Sequence, residues 1–519
     1  MKLPDAKENP ALVIAFVRRA VTICICLAIA LVIAYWIGSG QTGYLKIAAG
    51  AAIVIFVAAG LRERAWILIP LGWMLIGNCF FIPFHFSFRD VSVLLAGCAY
   101  VSFRVLTHKD MRRPIQILDC ILVLIVVNTI VDFVRHPAGL LVFGSETIGG
   151  RGYFTFALAM LAYWVIVRLP DSLRPVSWIP YFVLAGGSVV ALLNLIVYIA
   201  PSTTPYVYTL YGGVDYSGYV ASSLDTTDIV RLTGLGSFGY TLALVLCALY
   251  PPQTLFNPLR PRFYFLLLGL VAVLLSGFRS TLLSIMAALA IASVMRQGWR
   301  GLTMLSLIGG LALGILCFGQ GRVYDLPRPV QRALSFLPGH WSDTVVANAE
   351  DSSQSRFEWW IRIIKEGVIK DWVFGDGMGL AEKEMENITS KTTFHEWYEL
   401  TGGFHSGPLT AVRFAGCIGL VLFYWFMIVA AFQGVKCLRL CRGTSLEPAA
   451  IFVAIQLIWF PINFTFVFGA YDQDLPGEVF LVALLMLLLR MVPQARAAAA
   501  EPRLSQTLPF PPAVATALR

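Results

Sequence analysis

Charge is what this chain has least of. Only 13% of its 519 residues are Asp, Glu, Lys or Arg, 58% are apolar, and mean hydropathy is +0.74. Those proportions exclude a soluble globular domain and indicate a polytopic membrane protein. Cysteine is missing from the most polar stretch, residues 320 to 405, and Cys24, Cys26, Cys79, Cys98, Cys247, Cys317 and Cys417 all sit in apolar segments, which excludes a disulfide scaffold. Cys437 and Cys441 have no histidine or further cysteine nearby, so they make a poor zinc site and read as packing. His395-Glu396 lacks the second histidine of a zinc protease, because Glu399 stands at that position. Gly375 to Gly379 lacks the preceding strand and the lysine of a nucleotide-binding loop. Nothing supports glycosylation of the Asn387-Ile388-Thr389 triplet, and no internal repeat is apparent.

What the chain does have is apolar runs of membrane-spanning length. About fourteen segments can cross a bilayer of about 30 Å. They are 20–37, 44–60, 65–82, 90–106, 115–134, 153–169, 178–200, 236–250, 262–276, 280–295, 302–319, 408–433, 449–467 and 478–491. The first follows Arg18 and Arg19 without a small-residue cleavage site, so it is expected to be a retained anchor with the N-terminus inside. Every second loop then carries cations: Arg62 and Arg64; Lys109, Arg112 and Arg113; Arg168 and Arg174; Arg260 and Arg262; Arg296 and Arg300; Lys436, Arg439 and Arg442. This topology accounts for the net charge of +9 without a nucleic-acid partner. The expected fold is an all-α polytopic membrane protein with about 12–14 transmembrane helices and one large outward-facing, periplasmic loop.

That expectation divides the chain into N-terminal membrane helices over 1–235 and further membrane helices over 236–319. The large loop follows at 320–407, then C-terminal membrane helices at 408–491 and a disordered cytoplasmic tail at 492–519. Within the loop, Asp351 to Ser355 offer caps for a helix over Arg356 to Lys370. Trp359, Trp360, Ile363, Ile364 and Val368 give that helix an apolar stripe, directed at lipid or at the bundle. Gly375 to Gly379 form a flexible turn after it.

Three groups on the outward side carry the chemistry: Arg279 in the Ser276-Gly277-Phe278-Arg279 turn, Arg356 on the loop helix, and His405 where the chain returns to the membrane. An arginine at the centre of a membrane helix costs about 2.5–3.5 kcal/mol, and less near the interface, where it can snorkel from a solvated turn. A guanidinium remains charged and donates paired hydrogen bonds to phosphate oxygens, which suits a lipid pyrophosphate. Histidine, with an ordinary pKa of about 6.5, serves as a base near neutrality, and it also serves as a helix cap.

His405-Ser406, Leu409, Gly416 and Gly419 bring out a resemblance. The chain resembles the O-antigen ligase and O-antigen or exopolysaccharide polymerase family, which ends its large outer loop with a histidine followed by leucine and a glycine pair at these offsets. The family's Ser-Gly-x-Arg turn is matched by Ser276 to Arg279, and its arginine, Trp and Gly-x-Gly by Arg356, Trp360, Gly375 and Gly377. Arg231 resembles a basic position that the family keeps before a membrane helix. Ser406 departs from the usual asparagine, and about fourteen helices exceed the family's usual twelve or so. The resemblance covers about residues 230 to 435.

The resemblance implies an integral-membrane glycosyltransferase of the bacterial inner membrane, with both termini cytoplasmic, using an undecaprenyl-diphosphate-linked glycan. His405 would be the base and Arg279 and Arg356 would hold the pyrophosphate, with Arg231, Trp360, Gly375, Gly377 and Ser406 on the substrate. The acceptor would be another glycan or a lipid A core, with membrane lipids around it and a chain-length regulator and flippase as possible partners. Neither cofactor nor metal is expected, since arginines offset the leaving group and Asp90 beside Arg89 stands without a second carboxylate. Polymerase is preferred over ligase. A lipid-glycan flippase, a non-catalytic scaffold and a hydrolase using Glu396 and Glu399 stay open as alternatives. The aromatic residues Trp341, Trp359, Trp372, Trp397 and Tyr398 suit either sugar stacking or an interfacial belt.

Overall fold

A computed structural model describes residues 52, 56, 60–79, 86–107, 115–139, 147–168, 172–214, 232–381 and 402–507. The expected span 20–37, most of 44–60, Arg231, His395, Glu396, Trp397, Tyr398, Glu399 and the Asn387 triplet lie outside them. Among the described residues seven helices are long and apolar enough to cross a membrane: Ile117–Arg135, Ile179–Ile199, Arg279–Gln297, Trp299–Gly319, Gly407–Cys441, Glu447–Val467 and Tyr471–Ala500. Two shorter apolar helices, Gly234–Leu249 and Pro261–Ser276, pack with them. The protein is an all-α polytopic membrane protein. The described residues also include a two-residue ladder, in which Thr147–Ile148 pairs antiparallel with Leu380–Ala381.

The last helix is the axis of the bundle. It is 83% buried over its apolar window, whereas Trp299–Gly319 is 17% buried and forms the periphery. The last helix is longer at both ends than the expected span 478–491. It starts at Tyr471 and takes Asp472 and Asp474 into its first turn. Carboxylates there complement the positive end of the helix dipole, and Asp474 accepts the Ala470 amide at 2.7 Å. At its other end the helix continues past 492 to Thr507. The alanine run 497–500 is a strong helix former, which favours continuation over release.

The loop helix also differs from expectation. It spans Asp343–Lys365, with Ser342 rather than a residue of 351–355 as its N-cap. Thr344 to Ser355 hold Val345 and Val346 as their only large apolar residues, so hydrophobic periodicity gives no sign of this part of the helix. Its stripe splits: Trp359 and Ile363 are buried against Phe404 and Val412, and Ile364 is exposed.

The Gly407–Cys441 helix would be about 50 Å long if it were straight, well beyond a bilayer. Instead Gly416 breaks it, at φ 67 and ψ −178, into a half-helix ending at Ala415 and a long span from Cys417.

Candidate functional site

His405 stands immediately before the half-helix, and the chain reaches it through a tight turn. Gly402 is left-handed at φ 73, and the Phe404 amide donates to Gly402 O at 2.9 Å. Phe404 is fully buried, edge-on to Trp359 at 5.8 Å. Its carbonyl accepts the indole N–H of Trp360 at 2.8 Å. The loop helix therefore clamps the residue before the histidine. His405 itself has φ 53 and is the only non-glycine residue with positive φ among the described residues. Such a conformation costs about 1–3 kcal/mol and persists where surrounding contacts over-determine it, most often at functional sites.

The imidazole lies between Trp359, at 6.4 Å, and Phe468, at 5.4 Å between ring centres. Phe468 follows a π-turn over Asn463–Val467, and Asn463 Nδ2 donates to the Phe468 carbonyl at 3.2 Å. Burial holds the His405 pKa below its ordinary value, and the nearby Arg356 charge adds to the effect. Arg356 precedes Trp359 and Trp360 by three and four positions, so all three share one face of the loop helix. His405 and Arg356 are thus brought together.

Arg279 sits in a neighbouring layer. It donates from Nε to the Arg332 carbonyl at 3.2 Å and from Nη2 to Ser335 Oγ at 2.8 Å. Arg332, largely buried, donates in return to the Gly277 carbonyl at 2.9 Å. These contacts couple the Ser276–Arg279 turn to the short helix Arg328–Leu334, which packs against the loop helix. Gly277 makes the turn at φ 69.

Of the two glycines expected on substrate, Gly375 packs against backbone and Gly377 against side chains. A Cβ on Gly375 would lie 2.6 Å from Gly416 N, and one on Gly377 2.7 Å from His136 Cβ. Trp360 is likewise occupied with Phe404 O. Ser406 is the extended N-cap of the half-helix and has no side-chain cap bond.

The Gly375 contact shows what holds the broken helix. In an unbroken helix Arg413 O would accept the Cys417 amide and Phe414 O that of Ile418. Here Cys417 N donates to Trp372 O at 2.8 Å and Ile418 N to Val373 O at 3.3 Å, while Arg413 O takes the Asp376 amide at 2.8 Å. Ala415 O accepts Asn128 Nδ2 at 3.3 Å. The loop segment 372–376 thus replaces the missing helical bonds, as irregular backbone at membrane depth requires. An ion pair reinforces it: Arg413 Nη1 lies 2.8 Å from Asp376 Oδ2, both side chains largely buried. Asp371 pairs with Arg135 at 2.6 Å; the Phe374 amide first, then Arg135, pulls its carboxyl down to about 2.

Asp376→Ala is expected to lower stability by about 3–5 kcal/mol, since it leaves Arg413 buried opposite no charge. Thermal melting checks this, and a double variant Asp376→Leu with Arg413→Met should recover much of the loss. A single variant melting like the parent would remove the pair from the account.

Arg332, Asp376, Asn128 and Phe468 were not singled out in the sequence. Arg413 carried a usable signal, since it is an ionisable residue inside an expected membrane span. Arg332 carried none, lying in an irregular proline-punctuated stretch.

Residues 264–424 match the family model of the O-antigen ligases. The match takes in the Arg279 turn, the loop, His405, Gly416 and Gly419, and covers just under a third of the chain. It supports the resemblance to the O-antigen ligase family over that stretch. No curated protein matches the chain.

Proposed function

From the premise that residues 264–424 are O-antigen ligase-like, we propose that the protein is a glycosyltransferase acting on undecaprenyl-diphosphate-linked oligosaccharides at the outer face of the bacterial inner membrane. The acceptor hydroxyl attacks the anomeric carbon of the donor sugar, the bond from that carbon to the phosphate oxygen breaks, and undecaprenyl diphosphate leaves with the bonding pair. His405 takes the hydroxyl proton. Arg356, beside it, offsets the charge that grows on the diphosphate, with Arg279 and Arg231 as further cations on the same ligand. Trp360, Gly375 and Gly377 act as positioning residues, through the clamp on Phe404, the packing on Gly416 and the packing on His136 respectively. Ser406 starts the half-helix beside the donor.

The observation that carries this reading is the strained, half-buried His405 held between two aromatic rings with an arginine charge next to it. A scaffold has no use for that strain. The preferred acceptor is another repeat unit, making the enzyme a polymerase. Transfer to a lipid A core is the second reading, favoured by the description of the matched family. Purified protein given lipid-linked repeat units alone distinguishes them. A ladder of longer chains means polymerase; transfer only when lipid A core is added means ligase; transbilayer movement without transfer means flippase.

The lowered His405 pKa sets the pH dependence. The imidazole stays neutral, and so able to accept a proton, as pH falls through about 6.5. The acidic limb of kcat/KM is therefore expected below that value. In Arg356→Gln the limb should move up, because one cation opposing protonation is gone. An unmoved limb would detach Arg356 from the base. Activity is also expected to survive EDTA, since arginines meet the leaving group; loss in EDTA reversed by Mg²⁺ or Mn²⁺ would overturn the metal-free mechanism.

A further inference from the structure

A cavity of about 810 Å³ opens among the N-terminal helices and the last helix, within the roughly 300–1,000 Å³ typical of small-molecule sites. Asn78, Arg89, Arg151, Asp472 and Gln473 line it, together with apolar Met74 and Ile76. Its cations are anchored from behind. Asp90 is fully buried, pairs with Arg151 through Oδ2, accepts the Ser87 amide at 2.8 Å, and leaves Oδ1 without a hydrogen bond. Arg89 Nε lies 4.0 Å from that oxygen, and its guanidinium sits over the Trp73 ring. An acyl chain would return no hydrogen bond to the guanidinium, amide and carboxylate groups that line the cavity. A sugar presents hydroxyls to them and C–H faces to the apolar wall.

The cavity touches the proposed catalytic machinery without containing His405. Phe414 lines it from the half-helix, while Leu409 and Val412, on the opposite face of that half-helix, pack into the cluster with Trp359 and Phe404. Met378, from the turn after Gly375, lines it too, and its amide donates to Tyr153 Oη at 3.3 Å. One short helix thus separates the two sites.

We infer that this cavity binds the acceptor oligosaccharide, with the half-helix Gly407–Ala415 as the wall between acceptor and donor sites. The inference rests on the transferase reading, which requires two glycan sites. The last helix supplies its test. Gly477 lines the cavity, has ordinary helical geometry, and a Cβ built on it meets no atom within 4 Å. Gly477→Phe therefore directs a ring into the cavity from a clear Cβ position, and Gly477→Ala barely alters it.

The probe is the lipid-free repeat oligosaccharide released by mild acid from the host's own lipid-linked intermediate. It has no diphosphate leaving group, so binding is read without turnover, by saturation-transfer NMR and titration calorimetry. The parent and Gly477→Ala should bind equally, Gly477→Phe at least tenfold more weakly with an unchanged melting temperature, and Gln473→Ala several-fold more weakly. Equal binding by Gly477→Phe, or no binding by the parent, overturns the inference. So does a co-purified phospholipid that Gly477→Phe displaces while oligosaccharide binding holds. If instead His405 variants remain fully active, the base assignment falls while the binding curves still decide the cavity.

Discussion

Replacing His405 with glycine is expected to lower the rate of glycan transfer by about 10²–10⁴, the usual contribution of a positioned base. The choice of glycine matters. At φ 53 an alanine inherits the left-handed strain of the histidine, whereas glycine relaxes it. Loss of ring contacts with Trp359 and Phe468 opposes that relief, so the melting temperature should stay within about 3 °C of the parent. Conversion of undecaprenyl-diphosphate-linked repeat units, followed on gels with purified protein, gives the rate. A variant that melts normally and extends chains at the parental rate would remove His405 from the mechanism and return the scaffold and the flippase to consideration.

Gly416→Ala should instead prevent folding, or lower the melting temperature by more than about 10 °C. Its backbone, at φ 67 and ψ −178, occupies a region reserved almost entirely for glycine. A Cβ there would overlap Val373 O, which cannot retreat because it accepts the Ile418 amide. Gly443 provides the control, being left-handed at φ 71 with nothing within 4 Å of its Cβ position. Gly443→Ala therefore bears only the conformational strain, about 1 kcal/mol. Similar melting of the two variants would show that strain, and not the approach of the loop to the broken helix, governs position 416.

Much of the site was readable as residues and little of it as contacts. His405, Leu409, Gly416 and Gly419 were found by their match to the offsets of the family that the chain resembles, and Arg356 with its aromatic neighbours by sidedness and helical period. The pairing of Gly375 with Gly416 was not readable, because each glycine taken alone suggests a flexible turn or a helix contact. Only their meeting explains both. The Arg279–Arg332 exchange was hidden for the same reason, since a carbonyl acceptor leaves no trace in composition. The loop helix began earlier than expected because its first turns carry few large apolar residues and so lack periodicity.

The sequence by itself determined the membrane class, the apolar segments and the histidine and arginines worth following, because hydropathy accumulates residue by residue along a single helix and needs no partner. Tertiary structure alone decided which glycines and tryptophans are consumed in building the site, and which cavity lies across the half-helix from His405. Those outcomes depend on hydrogen bonds exchanged between segments far apart in the chain, where each buried backbone group takes whichever partner the packing brings within reach.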